Sequence, residues 1–205
     1  MRCLLVLLCF VPALVMAGVE DGNQGVLLVA HPRLDETEFA RTVIVVTFPQ
    51  DTGPMGVVLN RPIGVSLGEL LQDRPALDGR GDAVYAGGPV QPDGLLFLFR
   101  APEHPVKAVP VLADIYLSGD GELFEALMAK PEDPASQRFF AGYAGWAAGQ
   151  LDAEIERGNW YVLPADSDSV YDSEPDTLWE RMLARATAQT ARVAPKRRVV
   201  VSSGR

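Results

Sequence analysis

Residues whose types and spacing could do chemistry are few in this chain, and one stretch concentrates them. GYAGWAAGQLDAEI, residues 142–155, sets Gly142, Gly145 and Gly149 around Tyr143 and Trp146, then runs into acidic, helix-like sequence. A glycine-rich turn that opens a helix can cradle a phosphate on its backbone N–H groups. These glycines, however, lie three and four residues apart, outside the strand-G-x-G-x-x-G-helix register of dinucleotide sites. Asp152 and Glu156 would share one helix face and repel a phosphate near the first turn. The simpler reading is structural. Gly142 and Gly145 permit sharp bends or close approach, Tyr143 and Trp146 bury rings beside them, and Gln150 satisfies local amides. The edge of a pocket for a small molecule or peptide is the functional alternative.

Two further turns carry candidate groups. Asn60-Arg61-Pro62 and Gly87-Gly88-Pro89 each follow an expected strand, so the two are expected to meet at one end of a sheet. Arg61 would there offer a planar fork to a carboxylate or phosphate. The bland alternative has Asn60 bonding backbone and Arg61 paired with a nearby acid. The candidate ligand-binding set is therefore Asn60, Arg61, Gly87, Gly88 and Trp146. The two histidines, His31 and His104, both stand beside prolines and outside any nucleophile or metal motif. His104 reads as a surface-turn residue; for His31, which ends the first strand, a place in a pocket lining is the minor alternative. There is no G-x-S-x-G elbow, no H-E-x-x-H and no Walker lysine-serine pair, so no catalytic residue is assigned. Asp166, Asp168 and Asp172 supply oxygens to one loop, but without the spacing or glycine of an EF-hand. Capping and turn chemistry account for them, and neither a metal nor a cofactor is expected. Arg80-Gly81-Asp82 reads as a chance tripeptide in a loop.

The elements that must position these groups are legible in outline. Val26–Ala30, Thr42–Phe48 and Met55–Asn60 are apolar or β-branched runs expected as strands. Ser66-Leu67-Gly68-Glu69 is a capping box that predicts a short helix over Leu67–Gln72. Ala83–Ala86, Leu95–Arg100, Val109–Leu117, Gln137–Ala144 and Asn159–Ala165 are further expected strands. Glu122–Ala129 and Ala147–Arg157 read as helices, the second closed by Gly158. A last helix starts near Pro175 with acidic residues in its first turn and apolar positions at Leu178, Met182, Leu183 and Ala186. Hairpins mixed with separate helices define an α+β protein.

With 205 residues and a net charge of −9, the chain has length for a full core and a charge that disfavours broad binding to nucleic acid. Its ends stand apart. Residues 1–17 open with Met1-Arg2, continue as an apolar run to Val15 and close with Val15 and Ala17 where a signal peptidase reads. This predicts a secretory signal peptide, too short to span a bilayer, and hence a periplasmic or secreted product. Cys3 and Cys9 both lie in this leader, leaving the mature chain without a disulfide or a thiolate. A start at Met16 is the alternative, and would keep the protein cytoplasmic. The domain is expected over residues 18–194, followed by a basic tail over 195–205 that contains Lys196-Arg197-Arg198.

Six segments, GVLLVAHPRL, FARTVIVVT, MGVVLNRP, AGGPV, GYAGWAAGQLDAEI and NWYVLPAD, occur in an order that resembles the YqgE/AlgH family of bacterial proteins. The resemblance covers about residues 25–185. It implies a strongly coiled, barrel-like mixed β-sheet with peripheral helices. It carries no established catalytic residue, and some members are described as candidate transcriptional regulators. The chain departs from the family in its leader, in its basic tail and in His31, where methionine would be expected before Pro32.

The combined expectation is a non-catalytic binding or regulatory module acting through a protein partner or small ligand. Two other classes stand beside it: a cytosolic regulator of transcription or nucleic-acid metabolism translated from Met16, and a hydrolase using carboxylates.

Overall fold

The computed structural model describes residues 25–193, apart from residue 50 and residues 75–76, 131–132 and 134–135. The expected leader and basic tail lie outside the described residues, as do both cysteines.

The first three strands, β1 (Val26–Ala30), β2 (Val43–Thr47) and β3 (Met55–Val58), form an antiparallel meander. Every residue of β2 is buried, which is why its sequence is an unbroken β-branched run and not an alternation. A short edge strand β4 (Pro62–Ser66) follows and leads into α1 (Leu67–Leu70). The capping box forms as expected: Ser66 Oγ accepts from the Glu69 amide at 3.3 Å, and Glu69 Oε2 accepts from the Ser66 amide at 2.8 Å.

Next come β5 (Ala83–Ala86), β6 (Val90–Arg100), β7 (Val109–Leu112), β8 (Ile115–Ser118) and α2 (Gly121–Met128), capped by Asp120. The remaining elements are β9 (Gln137–Gly145), α3 (Gln150–Glu156), β10 (Trp160–Pro164), α4 (Ser167–Val170) and α5 (Pro175–Val193).

The ten strands make one mixed sheet, in the order β10-β1-β2-β3-β9-β6-β8-β7. Off this path β5 pairs antiparallel with β4 and parallel with β9. The sheet curls until its last strand comes back to its first hairpin. The Gly25 amide donates to the Val111 carbonyl at 2.6 Å, and Thr47 Oγ1 donates to the Pro110 carbonyl at 2.6 Å. This is the strongly coiled, barrel-like α+β architecture with helices outside that the resemblance implies.

Two apolar clusters hold it. The larger joins β1, β2 and β3 to α5 through Leu178, Trp179, Met182 and Ala186, and the Trp179 indole donates to the Ala30 carbonyl at 2.9 Å. The smaller gathers Phe97, Phe99, Phe139 and Phe124 beneath α2. No helix among the described residues is long and apolar enough to cross a membrane.

Four expectations about elements need correction. Val109–Leu117 is not one strand but the hairpin β7–β8, turned at Ala113-Asp114 between the paired Leu112 and Ile115. β6 starts five residues before Leu95, with an irregular passage between Val90 and Leu95 where Gln91 has φ 48°. β4 was not expected as a strand, because it is an exposed edge with a proline as its first residue and shows no apolar alternation. α3 begins at Gln150 and not at Ala147, since Gly149 with φ 74° holds the chain out of the helix until then.

Candidate functional site

β9 is the central strand, and its glycines mark where it changes partners. Its first half pairs with β5 at Phe139, Phe140 and Ala141, and its end pairs with β3 at Ala144 and Gly145. Gly142 lies between the two, with φ 69°. The Gly87-Gly88 turn after β5 crosses at this point. The Gly87 amide donates to the Ala141 carbonyl at 2.8 Å, and its carbonyl accepts from the Val58 amide at 3.0 Å. A Cβ on Gly142 would lie 2.5 Å from the Gly88 carbonyl oxygen. One on Gly87 would collide with the Gly142 carbonyl, and one on Gly88 with the Tyr143–Ala144 peptide. The glycine-rich stretch is thus a backbone crossing, and the phosphate-cradle reading is unnecessary to explain it.

The two turns do meet at one sheet end, for the Ala86 amide donates to the Arg61 carbonyl at 2.8 Å. Their side chains, however, face inward tasks. Asn60 Oδ1 accepts from the Val43 amide at 2.8 Å, and its Nδ2 donates to the Arg41 carbonyl at 2.9 Å. Arg61 donates through Nη1 to the Glu38 carbonyl and through Nη2 to the Ala40 carbonyl at 3.0 Å. Its fork holds a loop of its own chain, with backbone carbonyls in place of the expected acid.

Trp146 sits differently. Its ring is buried, and its indole donates to Glu154 Oε2 at 3.0 Å, the same oxygen that accepts from Trp160 at 2.9 Å. Gln150 Nε2 donates to the other Glu154 oxygen at 3.0 Å, while Gln150 Oε1 takes the Ala147 amide at 3.1 Å. Burial pushes the Glu154 carboxyl up, but hydrogen bonds from Trp160, Gln150 and Trp146 outweigh it and hold the group below its ordinary range. α3 is then closed by Gly158: its amide donates to the Ile155 carbonyl at 2.8 Å and the Asn159 amide to the Glu154 carbonyl at 3.0 Å. Outside this braced tryptophan lies an open groove of about 640 Å³, walled by Met55, Val90, Leu96, Tyr143 and Trp146. Of the five candidate residues only Trp146 lines it.

The remaining sequence candidates have local duties. His31 Nδ1 accepts from the Arg33 amide at 3.1 Å, and its ring stacks on Tyr161 at 5.3 Å; burial and then Arg33 hold the imidazole below its ordinary value. His104 stacks on Tyr116 and reaches the Ala108 carbonyl at 2.9 Å. Asp166 caps α4 through the Ser169 amide at 2.8 Å and pairs with Arg185 at 2.6 Å. Asp172 receives both Nη atoms of Arg181, at 2.8 and 2.7 Å. Arg80 and Asp82 form a largely buried internal ion pair at 2.6 Å, which gives both charged members of the tripeptide a structural duty.

A second pocket, of about 390 Å³, lies beside the β5–β9 pair and is lined by Asp82, Tyr85, Gln137, Arg138, Tyr171 and Ser173. Sequence reasoning missed it. The available signal was Arg138 itself, a charged residue opening the apolar run of β9.

The geometry defines a class: an α+β protein on a curled mixed sheet, presenting two concave surfaces. Residues 27–191 match the family model described as DUF179, AlgH-like. A UPF0301 protein of Thermobifida fusca is 39% identical over 180 residues, covering 83% of this chain and 90% of the relative. A UPF0301 protein of Streptomyces coelicolor is 38% identical over 185 residues, covering 87% and 95%. The solution structure of the AlgH protein from Pseudomonas aeruginosa superposes with a TM-score of 0.62 at 30% identity, covering 81% of this chain and 87% of that one. The crystal structure of protein DIP2367 from Corynebacterium diphtheriae gives 0.64 at 25% identity, covering 80% and 87%. The chain belongs to the AlgH-like family.

Proposed function

We propose that this protein is a non-catalytic binding module whose site is the groove in front of Trp146, and that its occupant is a small, neutral, largely apolar molecule. The observation that carries this reading is the lining of the groove. Tyr143 and Trp146 offer aromatic surface, Met55, Val90 and Leu96 offer aliphatic surface, and no carboxylate, guanidinium, amine or imidazole is among the lining groups. Its volume of about 640 Å³ falls in the range of small-molecule sites, and Thr52 and Gln91 add polar side chains to its lining. Trp146 is fixed from behind by Glu154, so the wall is preorganised. The apolar leader over residues 1–17 supports placing the module outside the cytoplasm; a native intact mass beginning at Gly18 is expected, and one beginning at Met16 refutes the placement.

The binding test uses the neutral fluorophore N-phenyl-1-naphthylamine. Saturable binding to one site is expected, quenching tryptophan emission. It should weaken in Tyr143→Ala, which removes a wall, and in Thr52→Phe, which adds bulk at the exposed rim. Non-saturating uptake, or saturable binding that neither substitution alters, rejects the groove as the site.

A further inference from the structure

The 390 Å³ pocket beside β5 and β9 has a chemistry of its own, independent of the Trp146 groove. Arg138 lines it while being only 6% exposed. Its Nη1 donates to the Val170 carbonyl at 2.9 Å, its Nη2 donates to the Asp172 carbonyl, and its guanidinium lies 4.7 Å from the centre of the Tyr85 ring. These contacts satisfy hydrogen bonds without neutralising charge. Among the described residues no carboxylate forms an ion pair with Arg138. Asp172 attracts it, but the Asp172 carboxylate is already held by both Nη atoms of Arg181. Asp82, the acid in the pocket wall, is paired with Arg80 at 2.6 Å. A buried charge without a counter-charge is costly, and folded proteins ordinarily pair it. The charge that is missing here faces a cavity.

The rest of the lining is rich in unengaged donors. A guanidinium has five N–H groups, and two are used, which leaves three. Gln137 Oε1 accepts from Arg80 Nη2 at 3.0 Å, so the amide nitrogen of Gln137 remains to donate. Tyr85 and Ser173 add hydroxyl groups to the lining. Tyr171 donates to the Ser136 carbonyl at 3.3 Å and, kept neutral by burial that raises its pKa, adds an aromatic wall and no negative charge.

We propose that this pocket binds a small organic monocarboxylate, its carboxylate neutralising Arg138 and its apolar body lying between the rings of Tyr85 and Tyr171. One unpaired guanidinium matches one negative charge. A doubly charged phosphate would leave charge unmet beside Asp82, so inorganic phosphate should be the poorer ligand. Planar bidentate recognition is what arginine supplies to a carboxylate and lysine does not.

The experiment is a ¹⁵N-edited NMR titration of the chain with benzoate, and separately with inorganic phosphate. Saturable benzoate shifts are expected at Ala83, Tyr85, Gln137, Arg138 and Ser173, with a Kd at or below about 1 mM, and phosphate should bind at least about tenfold more weakly, a difference of roughly 1.4 kcal/mol. Arg138→Gln should abolish the benzoate shifts. Because that residue is buried, Ser173→Trp is the second variant. It fills the exposed-side rim, leaves Arg138 in place, and should lose benzoate binding while keeping the dispersed native spectrum. Linear or scattered shifts, unchanged binding in Ser173→Trp, or phosphate binding as tight as benzoate each overturn the proposal.

Discussion

Trp146 and Trp160 donate their indole N–H groups to one oxygen atom, Oε2 of Glu154, at 3.0 and 2.9 Å. The rings are 6% and 5% exposed, so neither donor has ready access to water. One carboxylate on α3 therefore fixes both the groove wall and the start of β10. Glu154→Ala should leave two buried donors unmet, at about 1–3 kcal/mol each, while Glu154→Gln, which keeps an acceptor oxygen, should cost less. Urea unfolding followed by tryptophan fluorescence reads both. Equal stability of Glu154→Ala and the parent would show that the shared acceptor is dispensable.

The same carboxylate gives the protein an acid limit. In Glu154, Asp166 and Asp172 burial raises the carboxyl, but hydrogen bonds and nearby arginines, Arg157 for Glu154, more than reverse it, so each folded value lies below the ordinary 4.5 or 3.8. A group depressed by folding binds its proton more readily when unfolded, so its contribution is complete above the unfolded value and is lost as pH falls through the folded one. His31, also depressed, begins a small decline below its ordinary 6.5. The melting temperature should therefore fall gently below 6.5 and steeply below 4.5. Glu154→Gln should flatten part of the steep limb; an unchanged profile in that variant would remove Glu154 from the account.

How much of this was legible beforehand depended on where each partner lies in the chain. β2 was readable because burial on both faces leaves a continuous β-branched run, and α1 because its cap is encoded within four residues. Trp146 was readable as a ring set among glycines. The turn of the β7–β8 hairpin was not, since Ala113-Asp114 has no glycine or proline to announce it. The partners of Arg61 were not legible because its acceptors are the backbone carbonyls of Glu38 and Ala40, which no side-chain pattern reports. Arg138 was invisible as a site because Tyr85, Tyr171 and Ser173 reach it only after β5 and β9 pair and the segment after α4 folds over them.

The backbone crossing at β9 can be separated from simple conformational preference. Gly142 and Gly149 have nearly the same φ, 69° and 74°, but a Cβ on Gly142 would lie 2.5 Å from the Gly88 oxygen, whereas one on Gly149 meets nothing within 4 Å. Gly149→Ala should show only the left-handed penalty, about 1–2 kcal/mol. Gly142→Ala should add an overpacking cost of roughly 1–3 kcal/mol, and the chain should fold poorly. Chemical denaturation of both variants decides the matter, and equal losses would mean that the crossing tolerates an extra carbon.

Asn60 and Arg61 clamp the segment from Glu38 to Val43 with four hydrogen bonds, two from each side chain. That segment carries Phe39, set edge-on to Trp160 at 5.7 Å, and Arg41, whose guanidinium lies 4.5 Å from the Trp179 ring centre. The clamp therefore joins the β2–β3 side of the sheet to the packing of β10 and α5. Asn60→Ala should cost roughly 1–3 kcal/mol, with faster hydrogen exchange at the Val43 amide. Arg61→Ala should loosen residues 38–40 in the same measurement, and Arg61→Lys should not restore them, because a single ammonium cannot span two carbonyls held by a planar fork. Were Arg61→Ala instead to leave exchange and stability untouched while weakening capture of a ligand, its inward contacts would be incidental and Arg61 would return to the binding surface.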